Sequence, residues 1–234
     1  TLRGGTHLPH SPSFHYLSRV WLPAMERFGL SAQLKLRYAG FYPEGAGEFR
    51  ADVSPLATAP SMVDWRSRGT LLEMDVSSFV GGLPFELAER QGRATSQALR
   101  ERGLYCTAEN FPLPTTRSQG TVVFVRAQFE RTFSGFTALG EKGKRAEEVG
   151  REAGERVSRF MESAGAIDEY LSDEVLLPAA LLAAGRLGGS QRGVTVFTPE
   201  RVTDHLTTNA RVIERFLPVK IEVDAEAKVL VKGA

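Results

Sequence analysis

Gln33-Leu34-Lys35-Leu36-Arg37-Tyr38-Ala39-Gly40-Phe41-Tyr42-Pro43-Glu44-Gly45-Ala46-Gly47-Glu48-Phe49-Arg50-Ala51-Asp52-Val53 reads as two strands joined by a glycine-rich loop. Leu34, Leu36 and Tyr38 alternate with Gln33, Lys35 and Arg37, and Phe49, Ala51 and Val53 resume the alternation after the loop. That two-residue period belongs to a strand with one buried face. The loop Gly40–Gly47 has backbone amides that could turn towards a phosphate. Its spacing matches neither a Walker loop nor a dinucleotide fingerprint, and a tight hairpin needing glycine dihedrals explains it better.

Upstream, Phe14, Leu17, Val20, Trp21, Met25 and Phe28 recur at three and four, the period of a helix with one buried face. Ser13 suits its cap and Gly29 its end, and Pro23 inside it should bend it. Thr1 opens the chain without Met, and Leu2-Arg3-Gly4-Gly5 reads as the end of a strand whose sheet partners lie outside the chain. Downstream, Ser54–Ser61, with Pro55 and Pro60, is the best linker. Then come a strand near Leu71–Val76, a helix opened by Pro84 and closed by Gly103, and a β-rich stretch Thr121–Phe133. A charged helix over about 145–164 precedes a more apolar one over 168–184. A strand at Val194–Phe197, a helix at His205–Leu217 and paired strands Val219–Val223 and Lys228–Val231 complete an α+β pattern.

With 29 Lys and Arg against 28 Asp and Glu, the chain lacks the global positive field of a nonspecific DNA binder, which leaves room for a local grip on an RNA end. The one cysteine, Cys106, cannot form an intrachain disulfide, and no apolar run reaches the length of a membrane span. The expected setting is cytoplasmic.

Four histidines occur, three of them at positions 7, 10 and 15. Without a nearby cysteine or acid they read as structural or solvent-facing rather than as metal ligands. His205 lies in Asp204-His205-Leu206-Thr207-Thr208-Asn209, among neighbours able to orient an imidazole. A helix-start histidine with a local hydrogen bond is the plainer alternative. Glu169, Tyr170, Asp173 and Glu174 open a helix, where the macrodipole favours acids; an aromatic beside two acids would also suit a nucleotide.

Taken in order, Gly4-Gly5-Thr6 with Pro9 and Pro12, Gly40-Phe41-Tyr42-Pro43, Gly140-Glu141-Lys142, Glu169-Tyr170-Leu171-Ser172-Asp173 and His205-Leu206-Thr207-Thr208-Asn209 with Ile213, Glu214 and Phe216 resemble the RNA 3′-terminal phosphate cyclases. The resemblance implies a fold of repeated units, each a four-stranded sheet backed by two helices, with a small inserted α/β domain. On that pattern residues 1–57 and 138–234 form the main domain and 58–137 the insert. It implies that His205 is adenylylated by ATP with Mg²⁺ or Mn²⁺, and that the RNA 3′-phosphate end is then closed to a 2′,3′-cyclic phosphate. It also implies that Pro12 and Tyr170 hold the adenine with Tyr16 beside them, that Asp173 lies near the ribose, and that Leu171, Ser172 and Glu174 belong to the same site. The protein would be a monomer or a homodimer.

Three positions depart from the family pattern: Ala46 replaces a glycine, Glu174 a common Gln, and His15 a common Asp. About the first third of a family member has no counterpart here. Two rivals stand beside the cyclase reading. One is a catalytically silent relative that binds RNA in ribosomal RNA maturation, against which His205 argues. The other is an enolpyruvyl transferase, similar only in its repeated sheet-and-helix units.

Overall fold

The computed structural model describes residues 1–55, 62–187, 193–224 and 226–234; most of the expected linker Ser54–Ser61 lies outside them. Strands β2 (Ser31–Tyr38) and β3 (Gly47–Ser54) form the expected hairpin, with Leu36 opposite Phe49, Leu34 opposite Ala51, and a register shift between Leu36 and Tyr38. β1 (Leu2–Gly4) pairs antiparallel with the other edge of β3. This corrects the expectation that its partners lie outside the chain. Gly4 and Gly47 meet so closely that a Cβ on Gly47 would sit 2.8 Å from the Gly4 carbonyl oxygen.

The loop between the strands spends its amides on the protein itself. Gly40 N–H donates to Thr6 Oγ1 (2.9 Å), Phe41 N–H to Ser118 Oγ (3.1 Å) and Gly45 N–H to the Phe41 carbonyl. Those three donors are not free for a phosphate, so the hairpin describes the loop better than the cradle. Ala46 adopts φ 56°, the left-handed region that glycine enters without a Cβ penalty.

The first helix runs as α1 (Phe14–Tyr16), a π segment (Leu17–Trp21) and α2 (Leu22–Arg27). Pro23 has no N–H and its ring would press on the carbonyl one α-turn back, so the wider turn just before it relieves the conflict. The apolar stretch after residue 168 is two helices, α5 (Glu169–Glu174) and α6 (Leu176–Ala183), rather than the single expected one. Pro178 explains the break. In a continuous helix its ring would strike the Glu174 carbonyl, whereas near the start of a new helix its missing N–H costs nothing. α5, α6 and α7 (Asp204–Phe216) belong to a sheet ordered β10-β11-β9-β4, from Val219–Val223, Val229–Gly233, Thr195–Phe197 and the short Asp64–Trp65.

The third sheet, ordered β6-β5-β7-β8, comprises β5 (Leu71–Gly81), β6 (Thr107–Pro112), β7 (Gly120–Phe129) and β8 (Phe133–Leu139), with α3 (Glu86–Arg100) and α4 (Ala146–Glu162) on one face. β7 is buried on both sides. Val123, Val125 and Phe129 join the core under α3 and α4, while Val122 and Phe124 join the core shared with the first helix, α5, α6 and α7. β5, β6, β7, α3 and all but the last two residues of β8 fall in the proposed insert 58–137, α4 follows it in sequence, and β4, also within those bounds, belongs to another sheet. The architecture is α+β, and the described residues form two four-stranded sheets and one of three strands. No helix among the described residues is long and apolar enough to cross a membrane.

α3 and α4 approach each other through small residues. A Cβ on Gly150 would lie 2.4 Å from the Gln91 carbonyl oxygen, and one on Gly154 2.8 Å from Ala98 Cβ. Backbone cannot yield there as a flexible side chain would. Gly150→Ala should therefore cost roughly 1–3 kcal/mol through overpacking, read as a lower urea midpoint with an unchanged slope. An unchanged midpoint would show that the two helices slide apart at no cost.

Candidate functional site

The site is assembled around Asp168, which is buried to 1% exposure at the start of α5. Its Oδ1 accepts the N–H groups of Tyr170 (3.1 Å) and Leu171 (3.0 Å), the pattern of an N-cap. Tyr16 Oη donates to the same oxygen at 2.6 Å, and Gly135 N–H donates to Oδ2 at 3.2 Å. Burial raises the Asp168 carboxyl above its usual range, against the pull of these donors. Burial, then the Asp168 charge, raises the Tyr16 phenol well above its own. The pair therefore acts as a fixed strut, with Tyr16 keeping its proton.

Tyr170 stands edge-on to Tyr16 with ring centroids 6.2 Å apart, and remains 49% exposed, so a face is open to a ligand. Arg156 Nη1 approaches its hydroxyl at 3.4 Å while pairing with Glu152. Asp173 is half-buried. So is Glu174, whose carboxyl is raised by burial and by Asp173. Leu171 and Ser172 point inward: Leu171 lies in the main core, and Ser172 Oγ donates to the Glu169 carbonyl. Pro12 is half-buried beside Ser13, whose hydroxyl caps the first helix.

α7 brings in the second half. Thr203 caps it by accepting the Leu206 N–H at 3.0 Å, leaving His205 exposed on the first turn. Asn209 Nδ2 donates to Asp173 Oδ1 at 2.8 Å. Because His205 and Asn209 are four residues apart on one helix face, this bond sets the imidazole on the side of α7 that meets α5. The neighbours expected to orient His205 do other work. The Thr207 hydroxyl serves the Thr203 and Asp204 carbonyls, and no hydrogen bond given for the described residues reaches the imidazole. Close by in sequence, Glu200 is raised to about 7, chiefly by burial and then by Glu169 and Asp168.

The sequence reading missed the role of Asp168 as a junction, although an acid directly before a helix is a recognisable cap signal. His7 and His15 prove structural. Both are buried, with ring centroids 5.1 Å apart, and His15 stacks on Phe79 at 3.8 Å. His10 is exposed, and no group of three or more His, Cys, Asp and Glu side chains among the described residues could hold a metal.

Burial, then the neighbouring His15, lowers His7 to about 3; burial, then Arg19, lowers His15 to about 4. Both folded values lie below the unfolded value near 6.5. The unfolded chain thus binds more protons between about pH 3 and 6.5. Their contribution to stability is complete above about pH 6.5 and falls away as the pH drops through 4 and 3. Melting temperature against pH should show that decline, and His15→Phe, which removes one of the two groups, should flatten its upper part. A slope unchanged in His15→Phe would contradict the assignment.

A family model described as RNA 3′-terminal phosphate cyclase matches residues 1–223. Curated proteins of that name are similar to this chain. The one from Methylococcus capsulatus is 37% identical over 223 residues, covering 95% of this chain and 59% of its own length. Those from Sulfurisphaera tokodaii and Ralstonia nicotianae are 34% and 35% identical, covering 97% and 95% of this chain and 63% and 60% of theirs. The chain thus spans about three fifths of the length of the curated relatives it matches.

Proposed function

Because the chain belongs to the RNA 3′-terminal phosphate cyclase family, we propose that it serves the ATP-dependent closure of an RNA 3′-phosphate end to a 2′,3′-cyclic phosphate, with His205 as the acceptor of AMP. The observation that carries this reading is the Asn209–Asp173 bond, which sets the exposed His205 beside the helix that presents Tyr170. An adenine on the open face of Tyr170, with Pro12 nearby in the same reading, would direct the phosphates of ATP towards α7. Asp173 and Glu174 would flank the ribose, and Leu171 and Ser172 would contribute through the backbone of α5. Glu174 stands where the family often has Gln, and its raised carboxyl takes up a proton more readily than an ordinary Glu, which narrows that difference.

In this proposal a neutral imidazole nitrogen of His205 attacks the α-phosphorus. A P–N bond forms, the bond to pyrophosphate breaks, and the ring releases its other proton to solvent. The N-terminal end of α7, with its unpaired amides and positive dipole end, favours the charge that gathers on the phosphoryl oxygens. The RNA 3′-phosphate then takes AMP from His205, and the adjacent 2′-hydroxyl closes the ring and expels AMP, assisted by its tethering. Mg²⁺ or Mn²⁺ would accompany the triphosphate and offset the charge of the departing pyrophosphate. The setting proposed is the cytoplasm.

Incubation with Mg²⁺ and ATP labelled at the α-phosphate should leave label on the chain that survives alkali and is lost in acid, as a phosphoramidate is. His205→Ala should abolish it, and Tyr170→Ala should raise the ATP concentration for half-labelling about tenfold, the loss of a stacking contact. Equal labelling of the parent and His205→Ala would remove His205 from the reaction.

A further inference from the structure

Three features outside the adenylylation chemistry stand out: the cleft beside His15, Arg19 and Phe111, the open cleft around Arg66 and Arg68, and the exposed stripe of α7 that runs on from His205. The first is lined by Asp75 and Glu109 as well as Arg19, so it has no clear charge preference. In the second, Arg68 is already committed to the carbonyls of Phe160, Met161 and Gly165, and Arg66 to Asp64. The third carries an inference.

Phe216 is 82% exposed, the most exposed large hydrophobic side chain among the described residues, and Val212 is 48% exposed. At about 100° per residue, Val212 and Phe216 lie within roughly 20° of His205 around α7, so the three form one stripe. At about 1.5 Å per residue, the stripe is about 16 Å long, the length of a few nucleotides. Arg211 and Arg215, both exposed and in no ion pair among the described residues, lie to one side of it, about 120° and 80° round the helix from His205. Glu214, on the opposite side, is occupied by the Ile221 N–H. Towards the other end of the helix the acids Glu169 and Asp173 are engaged by Arg201 and Asn209. Arg211 and Arg215 favour a polyanion whose end lies at His205 leaving along the C-terminal half of α7.

We propose that this stripe of α7 is the track for the 3′-terminal nucleotides of the RNA, with a base stacked on Phe216 and backbone phosphates met by Arg211 and Arg215. The inference rests on the reading of His205 as the AMP acceptor. In-line transfer requires the RNA phosphate to reach the phosphorus from the side opposite the P–N bond, and with His205 exposed at the start of α7 a strand ending there can run on over the protein surface. An exposed aromatic ring with arginines to one side of it suits single-stranded RNA held without reading its sequence.

Fluorescence anisotropy with oligoribonucleotides of eight and of two residues, both ending in a 3′-phosphate, tests the track. Phe216→Ala should raise the Kd for the longer strand about tenfold, Phe216→Trp should keep it near the parent value, and the two-residue ligand should not distinguish them. Arg211→Ala with Arg215→Ala should reduce the steepness of the salt dependence. Failure of the parent to bind the longer strand, or equal affinity of the parent and Phe216→Ala, overturns the track. So does a change in oligomeric state in Phe216→Ala with RNA affinity kept, which would make the stripe a protein contact. Labelling of the parent by ATP without RNA separates the readings. A labelled parent whose RNA affinity ignores Phe216 loses the track alone, and an unlabelled parent loses the His205 reading beneath it.

Discussion

The buried carboxylate of Asp168 is the constraint on which the rest of the site depends. One side chain caps α5, holds the Tyr16 hydroxyl and takes the N–H of Gly135 on β8, joining three segments that are distant in sequence. A carboxylate without partners at that depth would be costly, and its four donors largely remove the cost. The position of Tyr170 follows, because its backbone is gripped by Asp168 and its ring meets a tyrosine held by the same group.

From α5 the geometry passes to α7 through Asp173 and Asn209. Neither residue is unusual alone. Together they bring two exposed side chains, Tyr170 and His205, to adjoining helices, while Leu171, Leu206 and Ile213 anchor those helices in one core. In the proposed reaction such an arrangement would act mainly by positioning, since an imidazole needs little beyond a correctly placed phosphorus.

Much of the fold was legible because local patterns carried it: the alternation on either side of Gly40–Gly47, the helical spacing of Phe14–Phe28, and the charged stretch over about 145–164. What was not legible depended on contacts or on weak patterns. β6 has no alternation because it is an exposed edge strand, and β4 is only two residues long. The apolar run over 168–184 suggested one helix, whereas Pro178 favours a break before it and the structure has α5 and α6. The histidine pair could not be seen because His7 and His15 meet only after the first helix packs on Phe79. At the site, Tyr170, Asp173, His205 and Asn209 stood out through ordered motifs, whereas the 36-residue separation of Asp173 and Asn209 concealed that they touch.

The central claim is that the segments around 168–174 and 203–209 form a single nucleotide site. A crystal structure of the chain with an ATP analogue that resists attack at the α-phosphorus tests it directly. The account predicts the adenine against Tyr170 and the α-phosphate within reach of the His205 ring. A nucleotide bound elsewhere, for instance in the cleft beside Arg19 and Phe111, with His205 facing open solvent, would contradict it.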